Sequence, residues 1–537
     1  MAGAHPPGTL TRVISAQAAA ASGARTGRAG DFGGFRTGWA LLISVAGGLA
    51  LYAAFPPVDA WPLAVLGPAL LVLALTGRSL RGSFGCALAF GLAQFVPLLS
   101  WLINEAWYAW AALAGSEAII FALLAIGQRL LLRLPYWPVA VAGWWVLVEG
   151  VRDRWPYAFP WGRLAMSQSV APDVRWVAFG GAPLLSFLVA LAGAMLAGAV
   201  LAWLGPEGRA RWTASAAAVV TAGLVLAGGL LPADPTGGAP TAQVAAIQGN
   251  VPRARDLPQQ LSATQVTQNH VDATLKLAAQ VKAGQRPAPD LVIWPENATD
   301  LDPFQNPSVY AQLSRAVAAI GRPILIGEVL NNPRRNVGQL WVPGRGPTTA
   351  YVKRQLVPFG EYIPFRGIIS SFSDLPALQP VDFTAGRRPV VFGVGKIRLG
   401  DVICYEVAFD HLVRSEVTAG ANLLAVQSND ADFEIDGQLG ETQQQTAMAR
   451  IRAVESDRAV VYASTTGEST IIAPDGSLIA HSGVWRQAIL DARVPLVSHR
   501  TLADRVGAWP EYVIIMLTVL ALAWAALRAL RPRRNAS

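Results

Sequence analysis

Covalent chemistry in this chain could turn on Cys404. It closes the stretch IRLGDVICYE (Ile397–Glu406), an apolar run that reads as a strand and stops at a cysteine bracketed by Asp401 and Glu406. The chain's other cysteine, Cys86, sits in an apolar run, where a thiol behaves as a small hydrophobe. Two cysteines so placed exclude a disulfide framework and metal ligation by cysteine pairs. A cysteine nucleophile needs a base for its proton and donors for the developing oxyanion. His411 follows seven residues later, which on a helix is two turns or roughly 10 Å, beyond hydrogen-bond reach. Nothing around His270, His481 or His499 recommends them. A carboxylate is the better candidate. LVIWPENATD sets Glu296 just behind an apolar strand and a proline, and YVKRQLVPFGEYIP sets Lys353 behind a short strand, with Glu361 in the turn that follows. Sites of α/β proteins gather at the carboxyl ends of strands. A single charged residue there is most often a solvated loop end, but three ends carrying Glu, Lys and Cys point to a shared site.

The elements that must position these residues run from about Ala242 to Arg500, where short β-type runs alternate with helical ones, an α/β pattern. The pattern predicts ten strands, the first Gln243–Gln248, the seventh Ile397–Ile403 and the last Thr470–Ile472. It predicts helices over Ala263–Lys282, Ser308–Ile320, Val407–Ala419 and Glu441–Val454. No glycine-rich phosphate loop or zinc-type spacing occurs, so neither a cofactor nor a metal is expected.

The rest of the chain is of another kind. Over 537 residues, 53% are hydrophobic and 15% charged, and the mean hydropathy is +0.36. This combination predicts a membrane part joined to a globular part. Apolar runs occupy Gly38–Phe55, Trp61–Leu75, Ser83–Ile103, Ala109–Leu132, Trp137–Val151, Pro183–Leu204, Trp212–Leu231 and Tyr512–Leu527. A span needs about 20 apolar residues, so the second and fifth runs are short. The net charge of +8 does not indicate nucleic acid, because the arginines sit at the ends of these runs. Residues 1–36 read as a disordered basic tail rather than a signal peptide. The tail, the second, fourth and sixth connections (Arg78, Arg81; Arg129, Arg133; Arg209, Arg211) and the residues after Leu527 are basic, whereas the first and third connections carry no Lys or Arg. Alternation over eight spans therefore predicts cytoplasmic termini and an extracytoplasmic α/β domain. The fifth connection, with Arg152, Arg154 and Arg163, is an exception. Glu117 and Glu149 are read as interfacial carboxylates, Glu149 pairing with Arg152 or Arg154. The expected division is a tail at 1–36, seven spans over 37–231, a catalytic domain at 241–500, an eighth span at 510–530 and a basic tail at 531–537.

The motifs also carry a resemblance. WPEN around Glu296, VKRQLVPFGEYIP around Lys353 and ICYE around Cys404 resemble the Glu-Lys-Cys signature of the nitrilase superfamily. IQGNVP (Ile247–Pro252), QSND (Gln427–Asp430), MARIRAVE (Met448–Glu455) and FPWGRLAMSQS (Phe159–Ser169) narrow it to the apolipoprotein N-acyltransferase family. The resemblance covers nearly everything after the basic tail.

That resemblance implies an αββα sandwich joined to a polytopic α-helical membrane bundle of about eight spans, in the cytoplasmic (inner) membrane of a bacterium. It implies transfer of an acyl chain from a phospholipid, chiefly phosphatidylethanolamine, to the N-terminal amine of diacylglyceryl-cysteine in apolipoproteins. Glu296 would be the base, Lys353 and a backbone N–H near Tyr405 the oxyanion donors, and Cys404 the thioester-forming nucleophile. Glu361, Tyr405 and Glu406 match assisting positions. Four positions depart from the family pattern: no Trp occurs within Arg253–Gln260, Asn429–Phe433 reads NDADF, and Gln355 and Gln445 stand where His is usual. Two rival readings are a membrane-tethered amidase or nitrile hydrolase, and a polytopic scaffold with a dead catalytic domain. Seven spans exceed what a tether requires, and the Glu, Lys and Cys are all present.

Overall fold

The computed structural model describes residues 35–205, 208–231, 236–251, 259–371, 380–431, 433 and 440–530. The basic segments expected at 1–36 and 531–537 lie outside the described residues, apart from Phe35 and Arg36, and so do residues 252–258.

Each apolar run is helical: α1 (Thr37–Ala53), α2 (Leu63–Leu75), α3 (Leu80–Leu98), α4 (Trp107–Leu131), α5 (Trp137–Arg152), α6 (Val177–Leu204), α7 (Gly208–Leu226) and, near the end of the chain, α12 (Trp509–Leu530). Among the described residues, four helices are long and apolar enough to cross a membrane: Trp107–Leu131, Pro172–Leu204, Ala210–Leu230 and Trp509–Leu530. The last two turn Trp212, Val219 and Leu224, and Leu517, Leu520 and Trp524, outward. So much exposed apolar surface is unfavourable in water and suits lipid, and the protein is membrane-associated.

Glu117 and Glu149 are both buried within the helical part. Glu117 is 1% exposed; it is paired with Arg152 and accepts a hydrogen bond from Tyr157 Oη at 2.8 Å. Glu149 accepts from Leu164 N at 2.7 Å and faces Arg163 Nε at 3.8 Å. The partner expected for Glu149 is thus corrected, and Arg154 binds Glu511 instead, at 2.7 Å. The cause is the loop after α5, which folds back so that Phe159 N reaches Arg152 O at 2.8 Å and Arg163 arrives beside the helix end.

The α/β part is an αββα sandwich. One sheet has the order β12–β1–β2–β3–β4–β5, formed by Ala488–Pro495, Thr241–Gln248, Leu291–Ile293, Ile324–Asn331, Arg334–Val342 and Gly346–Val352. The other has the order β11–β10–β9–β8–β7–β6, formed by Leu478–His481, Thr470–Ile472, Val460–Ser464, Leu423–Ser428, Ile397–Ile403 and Val391–Val394. Central strands β1–β3 and β7–β9 are parallel. Such strands are covered on both faces and read as unbroken apolar runs, and for that reason they are visible in sequence. Strands β11 and β12 were not expected: the first is mostly exposed and the second, AILDARVP, carries two charges.

Leu399, Ile403, Ala425, Val461 and Ile293 meet between the sheets. Helices α8 (Gln259–Lys282) and α9 (Pro307–Ile320) cover the first sheet, with Val271, Leu313 and Val317 against Trp294 and Ile326. Helices α10 (Asp410–Thr418) and α11 (Gly440–Ser456) cover the second, and their apolar faces run on without a break into the membrane helices. Helix α10 begins later than predicted because Cys404–Ala408 forms a tight 3₁₀ turn. Helix α6 breaks at Gly181, where φ is +71° and a Cβ would stand 2.9 Å from Glu455 Oε1 of α11. A side chain there would be strained at this φ and would press on the Glu455 carboxylate.

One buried group makes the sandwich pH-sensitive. Glu328 on β3 is fully buried; Trp341 Nε1 donates to its Oε1 at 2.6 Å, while Oε2 has no partner. Burial pushes its carboxyl up to about 8, Trp341 opposing and Asp302 adding. Since the folded value lies above the unfolded one of 4.5, the folded state binds the proton more tightly. This contribution to stability is complete below the unfolded value and is lost as pH rises through the folded one. Glu328→Gln keeps an acceptor for Trp341 and cannot ionise. Between pH 5 and 9 the melting temperature of the native protein should fall by roughly 5 °C more than that of the variant; parallel melting curves would refute this.

Candidate active site

Glu296 follows β2 by way of Trp294 and Pro295, Lys353 directly follows β5, and Cys404 directly follows β7. Strand β5 is antiparallel to β4, and β4 to β3, so β5 runs with β2 and its carboxyl end meets the same edge. The turn carrying Glu296 lies tight against β3. A Cβ on Gly327 would stand 2.1 Å from Pro295 O and 2.7 Å from Glu296 Cα, a space only glycine leaves open.

The predicted residues converge. Lys353 Nζ donates to Glu296 Oε1 at 2.9 Å and to Glu361 Oε1 at 3.0 Å. Asn336 Nδ2 on β4 bridges the same two oxygens, at 2.6 and 3.0 Å. Asn429 N, after β8, donates to Glu296 Oε2 at 3.0 Å, and Val357 N to Glu361 Oε2 at 2.8 Å. Two carboxylates thus hold one ammonium, each kept in place by further donors.

Glu406 ties the cysteine turn to the lysine strand. Its Oε2 accepts from Ile403 N at 2.7 Å and Tyr351 Oη at 2.8 Å, and its Oε1 from Arg354 N at 2.7 Å and Gln355 N at 3.0 Å. This one side chain spans both sheets. Cys404 itself has φ +53°, a conformation that costs a non-glycine residue on the order of 1–3 kcal/mol and persists only when its surroundings hold it. Tyr405 points away from the sandwich: its Oη donates to Ala158 O at 2.6 Å, and its ring stacks on Phe159 and Trp161 at 6.2 and 6.4 Å.

The electrostatics favour a protonated resting thiol. Burial pushes Cys404 well up, Glu296 adds to the rise, and Lys353 opposes it. Burial works against the charge on Lys353, but Glu296 and Glu361 outweigh it and keep the ammonium protonated. Burial also raises Glu296, against the pull of Lys353. The ammonium alone therefore does not yield a standing thiolate. A carboxylate whose proton affinity is raised by burial is suited to take the thiol proton during attack. His411 is exposed and stacks edge-on to Phe409. Among the described residues no cluster of three or more His, Cys, Asp or Glu side chains could hold a metal ion.

Two side chains of this site escaped the sequence reading as participants. Asn336 lies within the polar-looking stretch RRNVGQLWV, where nothing separates it from a solvated strand residue. Gln445 on α11, noted only as a departure, places Nε2 3.5 Å from Cys404 Sγ.

The chain matches two family models: the apolipoprotein N-acyltransferase N-terminal domain over residues 47–195, and carbon-nitrogen hydrolase over 243–504. An apolipoprotein N-acyltransferase of Mycolicibacterium smegmatis is 37% identical over 519 residues, covering 91% of this chain and 85% of that one. One of Azotobacter vinelandii is 32% identical, covering 92% and 96%. A solved amidase of the nitrilase superfamily from Nesterenkonia AN1 is 18% identical and covers 49% of this chain and 93% of that one, with a TM-score of 0.37.

Proposed function

Because the chain belongs to the apolipoprotein N-acyltransferase family, we propose that it moves an acyl chain from a phospholipid, through a thioester on Cys404, to the N-terminal amine of diacylglyceryl-cysteine in apolipoproteins. The enzyme is an acyltransferase of lipoprotein maturation. The observation that carries the assignment to Cys404 is its junction with the membrane part. The next residue, Tyr405, is bonded to Ala158 and stacked on Phe159 and Trp161, and Trp161 Nε1 donates to Gln444 Oε1 of α11 at 2.5 Å. Trp101 and Phe433 extend this aromatic wall, their rings 5.1 Å apart. A nucleophile beside an apolar wall supplied largely by the loops between the apolar helices suits a lipid ester, and the same wall shields a thioester from water.

In the first half-reaction Glu296 accepts the Sγ proton as sulfur attacks the ester carbonyl. Lys353 and the backbone N–H of Tyr405 stabilise the oxyanion. The ester C–O bond breaks and the proton passes to the departing lysophospholipid oxygen. In the second, the apolipoprotein amine attacks the thioester, Glu296 takes its proton, the C–S bond breaks, and the thiol is restored. Glu361 and Glu406 act by holding Lys353 and the cysteine turn. Phosphatidylethanolamine is the proposed donor.

The proposed setting is the bacterial inner membrane, with seven spans before the catalytic domain, an eighth after it, both termini cytoplasmic and the domain outside. The alternation of arginines supports this, and the exception in the fifth connection has a local reason. Arg152, Arg154 and Arg163 are engaged by Glu117, Glu511 and Asp410 respectively, so they serve packing rather than topology.

The test is the intact mass of the detergent-purified protein after incubation with phosphatidylethanolamine alone. One acyl chain should be added, then discharged by a diacylated lipopeptide to give the triacylated product. No adduct, with ammonia released from simple amides, would replace the proposal by an amidase.

A further inference from the structure

Gln445 is a side-chain donor in hydrogen-bond contact with the Cys404 sulfur, and its orientation is dictated by its neighbours. Nε2 lies 3.5 Å from Cys404 Sγ and is also bonded to the Glu441 carboxylate one turn earlier on α11. Oε1 lies 3.3 Å from both Ser428 Oγ and Tyr462 Oη. A carboxylate only accepts, so the amide must turn its NH₂ toward Glu441. Its second N–H then points at sulfur. Behind it stands a buried scaffold: Asp430 accepts from Ser428, from Thr442 at 3.1 Å, from Ser464 at 2.6 Å and from Tyr462 at 3.2 Å. Gln445 and every member of this scaffold are buried.

We propose that Gln445 is a further catalytic residue, an N–H donor to the Cys404 sulfur that strengthens as the thiol becomes a thiolate. The charged groups facing that sulfur are Glu296 and Lys353 from the first sheet, Glu441 from α11 and Asp430 from the end of β8. Three of the four are acids that oppose a thiolate. Gln445 stands between Glu441 and sulfur and gives one proton to each, so it interposes a donor where an acid would otherwise face the nucleophile directly. A hydrogen bond to an ionised acceptor is roughly twice as strong as one between neutral groups, so the contact favours the charge that develops during attack. In the thioester sulfur is neutral, but the charge returns to it as the C–S bond breaks in the second half-reaction, and the same donor assists that departure. The role therefore belongs to both half-reactions. It rests on the acyl-transfer reading for its substrate, but not for its chemistry.

The decisive readout needs no substrate. Alkylation of the Cys404 peptide by iodoacetamide, resolved from Cys86 by mass spectrometry, is followed against pH in the native protein, Gln445→Met and Gln445→His. Methionine keeps the shape and loses the donor; its alkylation midpoint should move up by about one pH unit, slowing the reaction about tenfold below the midpoint. Histidine retains a ring N–H and should recover most of the rate. With phospholipid and lipopeptide, Gln445→Met should lower kcat/KM for the phospholipid about tenfold and also slow discharge of the preformed thioester by lipopeptide, because the sulfur leaves as a thiolate. An unshifted alkylation profile in Gln445→Met would overturn the proposal, as would native rates of both acylation and discharge in that variant. Failure of the native protein to take an acyl group, with the alkylation shift intact, would overturn the acyl-transfer reading and leave the donor in place.

Discussion

Cys404→Ala should form no acyl adduct with phosphatidylethanolamine and should lose transfer to a diacylated lipopeptide by at least about 10⁴-fold, since a thioester mechanism has no substitute for its sulfur. The variant should remain folded. Alanine keeps the Cβ at φ +53°, so the backbone strain is the one already present. The turn is held mainly by Glu406 and its bonds to Ile403, Tyr351, Arg354 and Gln355, none of which involves the thiol. What is lost is the contact with Gln445 Nε2, leaving a small space beside a polar group. Cys404→Ser restores an acceptor there but offers a far weaker nucleophile, so it too should fall near background. A mass adduct or lipopeptide acylation retained in either variant, at a rate within tenfold of native, would remove Cys404 from the mechanism.

Glu296→Gln should slow both half-reactions by about 10²–10⁴-fold, the range expected when a general base is removed. The reason it acts twice is geometric. Its Oε1 is held by Lys353 and Asn336 and its Oε2 by Asn429 N, so one carboxylate stays in place for both proton transfers. A glutamine can still accept from Lys353 and Asn336, but its NH₂ then faces the Asn429 N–H, and two opposed donors cost roughly 1–3 kcal/mol of stability. The variant should therefore melt lower as well as react slowly. Hydroxylamine separates the base from mere disorder. It attacks thioesters without needing its proton removed first, so it should discharge the acylated variant at nearly the native rate, while discharge by lipopeptide remains slow. Equal slowing with both nucleophiles would show that the substitution had displaced the site rather than removed its base.

The active-site ends were legible because each follows an apolar run: LVI before Glu296 and IRLGDVI before Cys404, on strands covered on both faces, and AYV before Lys353, on a half-buried edge strand. The edge strands β11 and β12 were not, since an exposed LIAH and a charge-bearing AILDARVP look like loop. Nor was the onset of α10, which depends on the turn that Glu406 closes. The pairing of Glu149 went wrong for a similar reason. Spacing along α5 favours Arg152, yet the returning loop delivers Arg163, and Arg152 is claimed by Glu117 on a different helix.

Local pattern determined the kinds of element and their ends: apolar helices too oily for water, parallel strands apolar on both faces, and Glu, Lys and Cys at strand termini. These follow from side-chain hydrophobicity and backbone periodicity, which act over a few residues. The tertiary structure alone decided which groups meet. Asn336 reaches Glu296 across 40 positions, Gln445 reaches Cys404 across 41, and Tyr405 reaches Ala158 across 247. Contacts of that kind exist only once two sheets stack and α11 is pressed between the second sheet and the membrane helices. In that burial an unpaired polar group is costly, so the fold brings groups such as the Asn336 amide NH₂ and the Tyr405 hydroxyl to partners that their neighbours in sequence do not reveal.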